Sequence, residues 1–219
     1  MTPKELIVRI IDLYVEARKP IYPDPRIFRG ESHTISSKTE DLFAYYLKEK
    51  LSDDLIFYVN QTITTDGQEN RIRSKPDIVI TKGEEIKTVL DLKMDLGYYR
   101  KEFPSIWENQ DKKIKSMREK EFRLYEKDKD NKRTQRLFNF SKNAKLFYVI
   151  ISNQNIGPIE LDKILKIQKE GKDFSDVFFL TEGIHPNSWK YSREDIIDKI
   201  IINDFAFDDL LKGLGEIIS

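Results

Sequence analysis

Apolar residues recur along this chain in two rhythms. Leu6, Ile7, Ile10, Leu13 and Tyr14 repeat every three or four residues, which places them on one face of a helix over residues 3–18. "KPIYPDPRIFRGES" follows, and three prolines within six residues predict a loop. A second helix is expected from Ser37, an N-cap residue, through "SKTEDLFAYYLKEKL". Beyond residue 53 the period falls to two. "DLIFYVNQTITT" predicts one strand ended by the Asp66-Gly67 turn, and "PDIVIT" a second closed by Lys82-Gly83. "IKTVLDLKM" completes an antiparallel meander.

From about 104 to 143 the chain is densely charged and reads as mostly helical, entered at Pro104. "KLFYVIIS" is a nearly unbroken apolar run, the pattern of a strand covered on both faces. "ELDKILKIQKEG" is a helix with a glycine stop, and "DVFFLT" is a further strand. Two helices close the chain, one from Ser192 to about Asp204 and one from Asp208 to Ile218. The expected fold class is α/β, a mixed α+β sheet with helices on both faces, in a single domain over 1–219.

Three charges break this pattern. Asp77, Asp91 and Lys93 interrupt apolar strands, although burying a carboxylate is costly unless it is paired or bound to a cation. Strand alternation puts Leu90, Leu92 and Met94 on one face and Val89, Asp91 and Lys93 on the other, while Asp77 shares its face with Val79. If the two strands are neighbours, both aspartates and the lysine meet in one patch. Two carboxylates beside an ammonium suit Mg²⁺, a hard cation that takes oxygen ligands. The chain holds five Asp/Glu-x-Lys triplets and two Pro-Asp pairs. Among them, Asp91/Lys93 alone sits inside an apolar strand, and Pro76-Asp77 alone opens a strand just upstream. The other copies fall in turns or charged helices, where solvation accounts for them.

Composition narrows the chemistry. Zero cysteines exclude disulfides, thiolate catalysis and a cysteine zinc site, and two histidines exclude a multi-histidine cluster. No apolar run approaches the roughly 20 residues needed to cross a bilayer, and the first helix is charged throughout, unlike a signal peptide. The expectation is a cytoplasmic protein without a membrane partner. Formal net charge is zero, yet 13 Lys/Arg stand against 6 Asp/Glu between residues 111 and 145. Phe122, Tyr125 and Phe138 interleave with them. Such a stretch tracks a phosphate backbone or forms a solvated helix face with pairs such as Glu119/Arg123.

Pro76-Asp77, a gap of 13 residues and then Asp91-Leu92-Lys93 resemble the signature of the PD-(D/E)XK nuclease superfamily, the restriction-endonuclease-like fold. Members often carry a glutamate in the helix before the meander. "SSKTEDLFAYYL" offers Glu40 or Asp41, and Glu40 shares its face with Phe43, Ala44 and Leu47, whereas Asp41 aligns with Tyr45 and Lys48. The resemblance implies a core of helix, three-stranded meander, helix and strand over about 36–152, with helix 3–18 and residues 155–219 as elaborations. It further implies that Glu40, Asp77, Asp91 and the Leu92 carbonyl hold Mg²⁺, with Mn²⁺ as a substitute. Lys93 would position or deprotonate the attacking water. Arg73, Lys75, Lys112, Lys113, Lys115 and Arg118 are the expected phosphate contacts. The expected activity is restriction-like endonuclease cleavage of DNA, compatible with a two-fold homodimer. The alternatives are an RNA endonuclease of the same superfamily and an inactive nucleic-acid-binding or assembly module. Asn60 and Gln61 read as turn-edge residues, and His33 and His185 as loop residues.

Overall fold

The first helix shows how local sequence sets each element. Thr2 accepts a hydrogen bond from the Glu5 amide while Glu5 reaches back to the Thr2 amide, a reciprocal cap that starts α1 (Pro3–Ala17). Its apolar stripe, Leu6, Ile7, Ile10, Ile11 and Tyr14, is buried. α2 (Ser36–Lys48) begins at Ser36, one residue before the expected cap, and has no side-chain cap. The computed structural model describes residues 1–65, 71–127, 130 and 132–218, so the Asp66-Gly67 turn lies outside the described residues.

The strands are β1 (Leu55–Val59), β2 (Ile63–Thr65), β3 (Arg73–Ser74), β4 (Ile78–Lys82) and β5 (Glu85–Lys93). After a 3₁₀ turn at Gly97–Tyr99 come α3 (Phe103–Met117), β6 (Glu121–Lys127) and β7 (Arg133–Ser152). The chain closes with α4 (Pro158–Glu170), β8 (Ser175–Glu182), α5 (Arg193–Lys199), β9 (Ile201–Ile202) and α6 (Asp204–Ile218). Among the described residues nine strands join one open mixed sheet, in which β5/β7 and β7/β8 are parallel and the other pairings antiparallel. β1, β4 and β5 form the expected meander, and β7 lies beside β5.

Three expectations are corrected. Residues 54–65 are two strands, because Asn60 adopts a left-handed backbone (φ 56°) that turns the chain from β1, paired with β4, towards β2, paired with β3 and β6. Asparagine tolerates that conformation better than other non-glycine residues. The charged region 104–143 is helical through Met117 and then becomes the β6–β7 hairpin. Its buried residues Phe122, Leu124, Phe138 and Phe140 fall at every second position amid dense charge, and that charge masks the two-residue period. The expected helix from Ser192 stops at Lys199, where β9 pairs with β8, and α6 starts at Asp204.

Alternation along β4, β5, β7 and β8 divides the core in two. Ile78, Ile80, Leu90, Leu92, Phe147, Val149 and Leu180 pack under α1, α2, α5 and α6. Val79, Val89, Tyr148, Ile150 and Val177 face α3, α4 and the hairpin. β7 serves both layers, as its unbroken apolar run predicts.

A bulge lets β7 change partners. Between Ile86 and Thr88 of β5 the facing residue on β7 moves from Phe140 to Lys145. Before the bulge β7 pairs with β6, and beyond it with β8. The Ala144 carbonyl in the bulge accepts from Arg118 Nε at 3.0 Å and Nη2 at 2.7 Å, and the guanidinium stacks over Phe174 at 4.2 Å. Arg118, expected at phosphate, is thus committed to the fold. Arg118→Ala is expected to lower stability by about 1–3 kcal/mol, the cost of an unsatisfied buried carbonyl, and Tm by roughly 2–12 °C. Unchanged denaturant unfolding with weakened DNA binding would return Arg118 to the phosphate-contact group.

Candidate active site

The candidate site forms where β4 and β5 stop pairing. Ile78↔Leu90 is the last pair of the ladder at this end, and the Asp77 amide still reaches the Leu90 carbonyl at 3.0 Å. Pro76, which has no N–H to leave unpaired, precedes it and is buried. Asp77 lies just outside the strand and accepts the Leu92 amide at 2.6 Å. That bond favours the carboxylate, but burial and then the Asp91 charge outweigh it. The Asp77 carboxyl is pushed up to about 6, with Glu40 adding to the repulsion and Lys93 partly offsetting it.

Glu40 faces the core side of α2 and is only 7% exposed, while Asp41 is exposed. Burial, then the Asp41 charge, holds its carboxyl above the usual range, against the pull of Lys75, Lys93 and Asn60. Asn60 Nδ2 donates to Glu40 Oε2 at 3.1 Å, and the Asn60 amide donates to the Asp77 carbonyl at 2.7 Å. A residue read as turn edge therefore joins the two acidic positions. Its signal in the sequence was asparagine, a residue suited to a left-handed turn, within a run of β-formers.

Lys93 forms an ion pair with Asp91. The acidic groups are distributed over two clefts that share Lys93 and Asp95. One, of about 300 Å³, is lined by Glu40, Asp77, Leu92, Lys93 and Asp95 together with Ser36 and Thr39. The other, of about 220 Å³, is lined by Asp91, Lys93, Asp95, Tyr99, Phe103 and Tyr148. The single patch inferred from alternation is thus a ridge with acid on either side, and Asp91 acts on Asp77 across it. Among the described residues no group of three His, Cys, Asp or Glu side chains is gathered closely enough to hold a metal ion.

Asp95 was missed by the sequence reading. His185 Nε2 lies 3.0 Å from its Oδ2, close enough for an ion pair though outside hydrogen-bond geometry, and Asn155 Nδ2 donates to the same oxygen at 2.9 Å. Burial pushes the Asp95 carboxyl up, but His185 and Asn155 outweigh it and hold the group below the usual carboxylate range. The His185 Nδ1 accepts from the Asn187 amide at 2.9 Å. No short-range pattern links residues so far apart in sequence. His33 lies away from this site, in a cleft with Glu16, Lys19 and Lys38.

The expected phosphate contacts separate. Lys75 is near enough to Glu40 to act on its charge. Arg73 is exposed on β3, and Lys113 donates to Ser74 Oγ at 3.2 Å. Lys112 pairs with Glu108 at 2.7 Å, and Lys115 lies over the Phe174 ring at 5.7 Å. Charge density alone gave no means of separating these roles.

The raised Asp77 carboxyl makes a pH prediction. An unfolded aspartate titrates near 3.9, so ionisation of Asp77 opposes folding. The penalty is absent below about pH 4, grows between about pH 4 and 6, and is complete above about pH 6. Asp77→Asn is therefore expected to raise Tm at about pH 7.5 in EDTA and to leave it unchanged near pH 4. The same Tm shift at both pH values would refute the electrostatic account.

No protein-family model, curated protein or solved structure matches this chain.

Proposed function

We propose that this chain is a divalent-metal-dependent nuclease with a restriction-endonuclease-like PD-(D/E)XK core, hydrolysing phosphodiester bonds of nucleic acid, with DNA favoured. The observation that carries the reading is the lining of one cleft by Glu40, Asp77 and Lys93 at the end of two adjacent strands, with Asp91 paired to Lys93 on its other side. The order α2, meander β1–β4–β5, α3, β7 supports it, since it follows the superfamily's core. Surface decoration explains these carboxylates poorly, because Asp77 and Glu40 stay partly buried and repel a neighbouring charge although each accepts only one hydrogen bond among the described residues.

The donor chemistry fits a hard cation. Glu40, Asp77, Asp91 and the Leu92 carbonyl are oxygen donors, and one or two carboxylates with water and substrate phosphate suffice for Mg²⁺ or Mn²⁺. Glu40, Asp77 and Leu92 line the larger cleft and would hold the cation there, while Asp91, paired with Lys93, borders the neighbouring cleft. When bound, the ion supplies a Lewis acid at the phosphoryl oxygen and an acidified water.

The chain's own residues supply the rest. The Lys93 side chain is 43% exposed, so its ammonium is able to exchange Asp91 for a phosphate oxygen and to orient the attacking water. Asn60 fixes the Glu40 carboxylate, and the Leu92 amide fixes that of Asp77, so neither must reorganise when substrate enters. Lys75 adds positive charge on the Glu40 side.

The test is cleavage of supercoiled plasmid, single-stranded DNA and RNA in Mg²⁺, Mn²⁺ or EDTA. Metal-dependent cutting is expected to vanish in Asp77→Ala and to fall roughly 10²- to 10³-fold in Lys93→Ala. Mg²⁺ is expected to raise the Tm of the wild type and not of Asp77→Ala. No cutting together with no metal-induced Tm shift would overturn the reading.

A further inference from the structure

We infer that the smaller cleft beside the Asp91/Lys93 pair is a pocket for a single unpaired nucleobase, so that the substrate carries an unstacked nucleotide next to the phosphate that is cut. The inference rests on the nuclease reading for the identity of the neighbouring phosphate. The pocket itself is argued from its walls.

Tyr99, Phe103, Ile106 and Tyr148 give the cleft an aromatic and aliphatic lining, and Gln110 adds an amide that both donates and accepts. Phe103 and Tyr148 meet edge to face at 5.2 Å and are almost wholly buried, which makes that wall rigid. Tyr99 is 68% exposed although it borders the cleft, and its neighbour Tyr98 is 96% exposed. Two tyrosines left in water at one turn contribute nothing to the core, whereas a π-face there is a stacking platform for a base. The platform is held in place, because Arg100 Nη1 donates to the Gly97 carbonyl at 3.3 Å and to the Asn155 carbonyl at 3.1 Å.

Size, continuity and charge select the occupant. A cleft of about 220 Å³ is small for a peptide helix or a drug-sized ligand, and suits one flat heterocycle. Its polar end is Asp91, Lys93 and Asp95, two of which border the larger cleft, so a group seated here remains tied to whatever occupies the Glu40/Asp77 side. Arg100, Lys101 and Lys163 line a depression with one acid, Glu160, that begins one residue beyond Tyr99 in the chain and supplies positive charge for the next phosphate. A base inside a duplex is stacked and paired and does not enter such a pocket unless it is extruded.

The probe is a single-stranded decamer of abasic sugar-phosphate carrying one central 2-aminopurine, compared in EDTA with the fully abasic strand. Both strands have the same phosphate charge, so the difference isolates the base. The single-base strand is expected to bind about tenfold tighter, with its fluorescence quenched, and Tyr99→Ala is expected to abolish both the gain and the quenching. Tyr99 is exposed, so this change leaves the fold intact. Gln110→Ala is expected to weaken the gain without removing the quenching. Equal affinity for the two strands, or a gain retained in Tyr99→Ala, would overturn the pocket. A base-dependent gain in a protein that cuts nothing with any metal would keep the pocket and remove the nuclease reading.

Discussion

A carboxylate placed one residue beyond a hydrogen-bonded ladder is the constraint around which this end of the molecule is organised. Asp77 needs the Leu92 amide, and that bond exists in one β4–β5 register only. The register is itself enforced by burial on both faces, since a slip of one residue would exchange Ile78 and Ile80 with Val79 and turn Leu90 and Leu92 away from their helices. The same register puts Asp91 and Lys93 beside Asp77. The Asn60 turn then ties the Asp77 backbone to Glu40, so the end of β1 and the start of α2 inherit their positions from this point.

Much of the fold was legible because its periods are strong. α1, the meander, the second half of β7, α4 and β8 each bury one or two clean apolar faces, and the expected spans fall close to the observed ones. The hairpin was not legible. In β6 and the first half of β7 the buried Phe122, Leu124, Phe138 and Phe140 are embedded in lysine, arginine and glutamate, which read as a solvated helix. The break at Asn60 was hidden for another reason, since β2 leaves β1 to pair with β6, a strand that had itself been missed.

At the site, chemistry carried the reading further than pattern did. Glu40 is singled out by the superfamily resemblance and its helical face, and Asp77, Asp91 and Lys93 stand out as charges where charge is costly. Alternation assigned them a face but had no information about the end of the sheet, where the chain diverges and Asp91 borders a different cleft from Asp77. Asp95 with His185, and Arg118 with the Ala144 carbonyl, are pairings between distant segments, and no local rule identifies such partners. The basic stretch shows the same limit. Its positive excess is put to different uses, since Arg118 stabilises a bulge and Lys112 a helix-surface pair.

The sheet's boundary has a consequence for assembly. Two of its edge strands, β3 and β9, are two residues long and offer an incoming strand little more than one ladder bond each, whereas β1 presents five residues, one of them the exposed Ile56. Short edges resist extension by another chain. A second copy recruited edge to edge at β1 would meet the strand that runs directly into Asn60, and a stack growing there would have to cover that turn.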